Sequence, residues 1–164
     1  MKKILLCLSA AAVMAAVLAS TAAADEPVIS SFTFSGTAAL TDVCSFPITV
    51  DFSSVGTETD FVDSSGAITM AFLHFVEQDT FSANGKTLTG EPYTANVHFL
   101  LDSSGNITHI FGQGIVEKVV LPDGGLFITA GRVDFVAHGS PPFLITPDVG
   151  AAVNLAGFCA ALSP

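Results

Sequence analysis

The chain has 164 residues, half of them apolar, and carries 15 acidic against 5 basic side chains for a formal net charge of −10. That length suits one domain. The charge argues against nucleic acid as a partner, because a phosphate backbone is bound by clustered Lys and Arg, and against anionic lipid surfaces for the same reason.

The first segment in chain order reads as an address, not as part of the fold. Met1-Lys2-Lys3 is a short cationic start, residues 4–18 are almost unbroken apolar sequence, and Ala22-Ala23-Ala24 supplies the small residues that a signal peptidase requires. We read residues 1–24 as an export signal cleaved before Asp25, and residues 25–164 as a single domain. The apolar stretch is short and lacks the basic flank of a stop-transfer anchor. Cys7 sits inside it, too early to be the acylated Cys of a lipoprotein. No later apolar run approaches the ~18 residues that span a bilayer, so the expected product is secreted and soluble. Losing Lys2 and Lys3 makes it more acidic still, and part of the mean hydropathy of +0.64 belongs to the leader.

Residues 28–34 form a loose apolar run. After it, Cys44, Phe46, Ile48, Val50 and Phe52 alternate with Ser45, Pro47, Thr49, Asp51 and Ser53, which predicts a half-buried strand. Pro47 on its polar face removes a ladder donor and so predicts an edge strand or a bulge there. Alternation returns at Tyr93, Ala95, Val97, Phe99 and Leu101, and again at Phe127, Thr129, Gly131, Val133 and Phe135. Looser runs cover residues 68–76, 107–111, 115–121 and 149–155. Turn signals separate them: Asp63-Ser64-Ser65-Gly66, Asn84-Gly85, Asp102-Ser103-Ser104-Gly105 and Pro122-Asp123-Gly124-Gly125. The segments from Val62 to Thr69 and from Leu101 to Thr108 are near copies, read as two hairpins built with one turn. Gly150, Gly157 and Pro164 break up the Ala-rich tail, which predicts a strand followed by at most one helical turn. The fold class is all-β: an antiparallel meander forming a closed or nearly closed small β-barrel, with a β-sandwich as the alternative.

With Cys7 removed, Cys44 and Cys159 remain, and an exported protein pairs such cysteines by default. The bridge would contribute roughly 4–5 kcal/mol in the chain-entropy model. Neither cysteine has a second Cys or a His at metal-ligand spacing.

Catalytic motifs are missing. There is no Gly-x-Ser-x-Gly elbow, His-Glu-x-x-His pair, phosphate loop or Cys-x-x-Cys. Gly112-Gln113-Gly114 begins like a dinucleotide loop but meets Glu117 where a third Gly belongs. Asp60, Asp63 and Gly66 lack the ligand spacing of a calcium loop. No cofactor and no metal site is expected. His98 and His138 read as solvated. A three-residue bulged loop would place His98 and His109 on opposite faces of their hairpin. His74 shares a face with Ile68, Met70, Phe72 and Val76, where an imidazole needs a partner or a cavity. Arg132, the sole Arg, lies two residues from Asp134 and so pairs with it or holds an acidic ligand. His74, Tyr93 and Arg132 are the candidate ligand-binding residues. The aromatics are 14 Phe, one Tyr and no Trp, which disfavours sugar platforms and suits a dry interior, either a filled core or a pocket for an apolar ligand.

Gly131-Arg132-Val133-Asp134-Phe135, the following Gly139-Ser140-Pro141 and the ending Phe158-Cys159-Ala160-Ala161-Leu162 resemble a set of uncharacterised exported β-rich bacterial proteins common in actinobacteria. Those proteins share an early Cys followed by Phe-Pro, matched by Cys44-Ser45-Phe46-Pro47, and a terminal Cys followed by small residues and Leu. The resemblance spans most of the mature chain. It implies pairing of Cys44 with Cys159 and carries no activity. In shape alone, the expected barrel is similar to lipocalins and to dirigent or allene-oxide-cyclase barrels.

Three functions follow as expectations. The first is a secreted binding module for a small apolar ligand or an extracellular partner. The second is a cell-surface or structural interaction protein. The third is a dirigent- or cyclase-like barrel enzyme, which requires His74, Tyr93 and Arg132 to converge in one cavity.

Overall fold

A computed structural model describes residues 26–136 and 147–164. The segment read as an export signal, His138 and the Gly139-Ser140-Pro141 motif lie outside them. The described chain forms β1 (Val28–Leu40), β2 (Ile48–Val62), β3 (Ile68–Ala83), β4 (Lys86–Thr89), β5 (Tyr93–Leu101), β6 (Ile107–Val120), β7 (Leu126–Asp134), β8 (Val149–Val153) and α1 (Leu155–Leu162). All pairings are antiparallel, in one eight-stranded sheet ordered β1-β2-β3-β5-β6-β7-β8 with β4 on β3. The all-β antiparallel meander is therefore present. The expected closure is not: among the described residues β1 pairs only with β2, and β8 only with β7. Closure fails because β8 offers just five residues and the chain then leaves the sheet as α1. The sheet is nevertheless curled, since residues from β1, β2, β3, β5, β6 and β7 line one cavity.

Local chemistry fixes the hairpins. Asn84 and Gly85, at φ 52° and 76°, make the two-residue turn between β3 and β4. The near-copy segments build the same device twice. Asp63 Oδ1 accepts from the Ser65 and Ala67 amides at 2.8 and 3.1 Å, and Asp102 Oδ1 from the Ser104 and Asn106 amides at 2.8 and 3.0 Å. Gly66 and Gly105 take φ 83° and 80°, where a side chain would be strained. The Ser65 hydroxyl, which also donates to Asp63 Oδ1, leads these amides in holding Asp63 below the usual carboxylate range, and the Asn106 amide leads in holding Asp102 there. The copying extends one step further, because Thr69 and Thr108 donate to the Phe61 and Leu100 carbonyls, each at 3.1 Å, beside a bulge. The second bulge overturns the expected histidine geometry: the register begins at Leu101↔Ile107 but continues as Leu100↔His109 and His98↔Phe111, so His98 and His109 share a face.

The core sits at one end of the sheet. Leu40, Ile48, Val50, Phe81, Leu88, Val119, Leu121 and Phe127 come from the turn-proximal ends of their strands and meet Phe158 and Leu162 of α1. The Phe158 ring stacks on Phe127 at 4.4 Å and meets Phe81 edge-on at 5.1 Å. The tail thus forms eight helical residues where a single turn was expected. Three features outweigh its two glycines. Phe158 and Leu162 stand four apart and are both buried; Gly157 leaves room for Asn154, whose Oδ1 would lie 2.4 Å from a Cβ there; and Cys159 bonds to Cys44 with the Cα atoms 5.6 Å apart. Asn84 Nδ2 also donates to the Leu162 carbonyl at 2.9 Å.

The early strand needs correcting too. It begins at Ile48, so Cys44 lies in the β1–β2 connection. Pro47 precedes the ladder and removes no donor from it, which lets β2 run between β1 and β3 as an interior strand.

Candidate functional site

The concave face of the sheet carries more than apolar side chains. Register aligns Ser54, Glu77 and Tyr93 on three adjacent strands and places Asp79 opposite Phe52. Glu117 joins them through two irregularities. The β6–β7 register shifts between Ile115 and Glu117, which turns Glu117 to the face of Gly112 and Gly114. Opposite it, the chain between β4 and β5 makes an isolated bridge from Gly90 to Val119, and the Gly90 amide donates to the Asp79 carbonyl at 2.8 Å. A Cβ on Gly90 would lie 2.4 Å from Glu117 Oε1, so the glycine provides the space this carboxyl occupies.

These groups form one continuous network. Ser54 Oγ donates to Glu77 Oε2. Tyr93 Oη donates to Glu77 Oε1 at 2.6 Å and lies 3.1 Å from Asp79 Oδ2. Asp79 Oδ1 and Glu117 Oε2 are buried without a hydrogen-bond partner when both groups are ionised, and a proton on either carboxyl lets the two bond to each other; the Lys118 amide reaches Glu117 Oε1 at 3.0 Å. Asp79 and Glu117 are fully buried, and two adjacent buried carboxyls do not both ionise. Burial is the main force raising Asp79 to about 6, with the Glu77 charge adding to it and hydrogen bonds from Glu117 and Tyr93 opposing. Burial and then Asp79 push Glu117 up to about 10. Burial and mutual repulsion therefore make the pair retain a proton at a pH where two solvated carboxyls would have lost it. Burial and the charges of Glu77 and Asp79 raise the Tyr93 phenol far above its ordinary value, so it stays a donor. Thr129, across the register from Glu117, is fully buried, and its hydroxyl has no hydrogen-bond partner.

Beside this network, on the side away from α1, lies a cavity of about 250 Å³. Phe32 and Phe34 of β1, Phe52 of β2, Phe75 of β3 and Phe135 just beyond β7 line it, and Ser54, Glu77 and Tyr93 form its polar end. Phe32 meets Phe75 edge-on at 6.1 Å, and Phe34 tilts against Phe52 at 5.6 Å. The Phe52 ring fits because its partner across the ladder is Gly36, where a Cβ would come within 2.7 Å of it. Among the described residues no Lys, Arg or His lines the cavity.

The candidates from sequence separate. Tyr93 points inward and is central to the network. His74 is exposed on the opposite face, its Nδ1 2.8 Å from Asn96 Oδ1. Arg132 stands on that same outer face, in the row Thr57, His74, Asn96, Gln113, Arg132. Its Cζ lies 4.8 Å from the centroid of the Phe111 ring. His74, Tyr93 and Arg132 therefore do not share a cavity. His98 is not simply solvated: its ring lies between Phe72 and Phe111, 4.7 Å from each and nearly parallel to the second. Sequence reasoning passed over Ser54, Glu77, Asp79 and Glu117. The available signal was the odd-numbered series Leu73, Phe75, Glu77, Asp79, Phe81, in which two acids interrupt an otherwise apolar face.

Among the described residues no group of three His, Cys, Asp or Glu side chains is placed to hold a metal ion, and no helix is long and apolar enough to cross a membrane. No family model, curated protein or solved structure matches the chain.

Proposed function

We propose that the protein is an exported binding module that holds a small, largely apolar molecule in the Phe-lined cavity. The observation that carries this reading is the cavity's composition: five phenylalanines around a space of about 250 Å³, closed at one end by a hydrogen-bonded Ser54–Glu77–Tyr93 group. Ligand sites are typically such apolar concavities with a few fixed polar groups. The volume suits a molecule of about ten non-hydrogen atoms, near the lower limit of known ligand pockets. Membership in the β-rich exported actinobacterial-type proteins, and nearer closure of the barrel around a bound ligand, belong to the same reading.

The test is calorimetric titration of the purified protein with 2-phenylethanol, a neutral probe of that size, alongside the variant Ala95→Phe. Ala95 lines the cavity, so the added ring occupies ligand space. Binding by the parent and its loss in the variant, with the circular dichroism spectrum retained, is the expected result. Equal binding by both places the probe elsewhere and removes the reading. Native mass spectrometry of protein from its own culture medium then seeks the retained ligand.

A further inference from the structure

We propose that the ligand is a small organic monocation, an aromatic or aliphatic ammonium, whose charge sits against the Glu77 carboxylate while its body packs among the phenylalanines. This rests on the cavity being a ligand site and adds the ligand's chemical class.

Four observations carry it. First, the cavity's polar end is acidic and none of the described residues lining it is basic, so no described group there balances an anionic ligand. Second, Glu77 receives one hydrogen bond at each oxygen, from Ser54 and from Tyr93. A carboxylate has about four acceptor sites, so each oxygen keeps one for a ligand donor, and the two bonds fix the carboxylate's orientation beforehand. Third, five of the fifteen lining residues are Phe, more than of any other type, and their ring faces attract a desolvated cation and lack the hydroxyl or indole N–H that would recognise an anion. Fourth, the groups behind Glu77 limit the charge on offer. Asp79 and Glu117 are fully buried, Tyr93 Oη lies 3.1 Å from Asp79, the Lys118 amide donates to Glu117, and neither carboxyl lines the cavity. The cavity thus presents one carboxylate, which matches one positive charge. A metal ion would require several such oxygens converging, and none of the described clusters supplies them. The formal charge of −10 draws cations from solution toward any such site.

The experiment uses three probes of one shape: 2-phenylethylamine, 2-phenylethanol and phenylacetate, titrated calorimetrically into the intact protein at pH 7. A charge-assisted hydrogen bond in place of a neutral one corresponds to about tenfold or more in affinity. The amine is therefore expected to bind at least about tenfold tighter than the alcohol, and phenylacetate weaker than both. In Glu77→Gln the advantage of the amine over the alcohol is expected to disappear, with the circular dichroism spectrum retained to report an intact fold. An amine bound no tighter than the alcohol overturns the inference while leaving the apolar pocket standing. An amine preference that survives in Glu77→Gln also overturns it. If neither amine nor alcohol binds the folded parent, the pocket reading itself fails. The parent's amine-to-alcohol ratio decides the matter even where the variant does not fold.

Discussion

The two ends of the curled sheet use the same residue for opposite purposes. At the α1 end, Phe81, Phe127 and Phe158 bury one another completely, and the disulfide and the Asn84 hydrogen bond hold the helix over them. Toward the other end, Phe32, Phe34, Phe52 and Phe75 pack pairwise around a space that no described element fills, and Phe34 is 59% exposed. Between the two stands the Glu77–Tyr93–Asp79–Glu117 network. A Phe-rich composition therefore does not distinguish core from pocket; what distinguishes them is whether another element comes down on top.

The sharpest contrast is in stability. Phe158→Ala removes the ring that joins two strands' phenylalanines and is expected to cost about 3–5 kcal/mol. Phe34→Ala, at the open cavity, is expected to cost less than about 1 kcal/mol, since exposed apolar side chains are already hydrated. Urea unfolding of both variants measures the difference, and equal losses would erase the distinction between the ends. Next in size is the bridge: the double variant Cys44→Ser with Cys159→Ser should lose about 2–4 kcal/mol, with ligand binding at 25 °C retained if the variant remains folded.

The network between the ends predicts an unusual pH dependence. A carboxyl whose folded pKa is raised binds its proton more tightly in the folded state, so stability falls as pH rises. For Asp79 that fall runs from about 4 to about 6, and for Glu117 from about 4.5 to about 10. The slope is on the order of 1 kcal/mol per pH unit while one proton is retained. Unfolding midpoints should therefore decline from pH 5 to pH 9. Glu117→Gln needs no proton to remain buried, so the part of the slope above pH 6 should flatten; an unchanged slope would assign it to other groups. The smallest expected effect is at the copied turns. Asp63→Ala and Asp102→Ala each remove amide hydrogen bonds at solvent-exposed tips and should cost about 1 kcal/mol or less. They should leave the binding of 2-phenylethanol unchanged.

Much of the scaffold was legible because its signals are local. Alternation marked β2, β5 and β7, the Gly-containing turns marked the hairpins, and two remaining cysteines allowed one bridge. The face of β3 was not legible: residues 68–76 are apolar on both parities, so His74 was as compatible with the interior as Phe75 was. The register to β2 and β5 settles that choice in favour of Phe75, Glu77 and Asp79. Glu117 was hidden for a related reason. Strict alternation from Gly112 and Gly114 sends it outward, and a single bulge, stabilised by pairing to β7, reverses it. The helix was obscured because its apolar face is completed by partners more than thirty residues away, which a local periodicity does not contain. The site was missed where tertiary register, not residue type, decides what is inside.

The bridge between Cys44 and Cys159 spans 115 residues of sequence, and the core it guards draws on both ends of that span. Leu40 and Ile48 have no lid until Phe158 and Leu162 come into place, so the earliest strands wait for the latest helix. The hairpins are able to zip in any order, each on its own turn, yet the dry end forms only as the final event. A chain emerging from its amino end thus has no finished hydrophobic centre until α1 has emerged, and its folding rate should be set by that one long-range meeting.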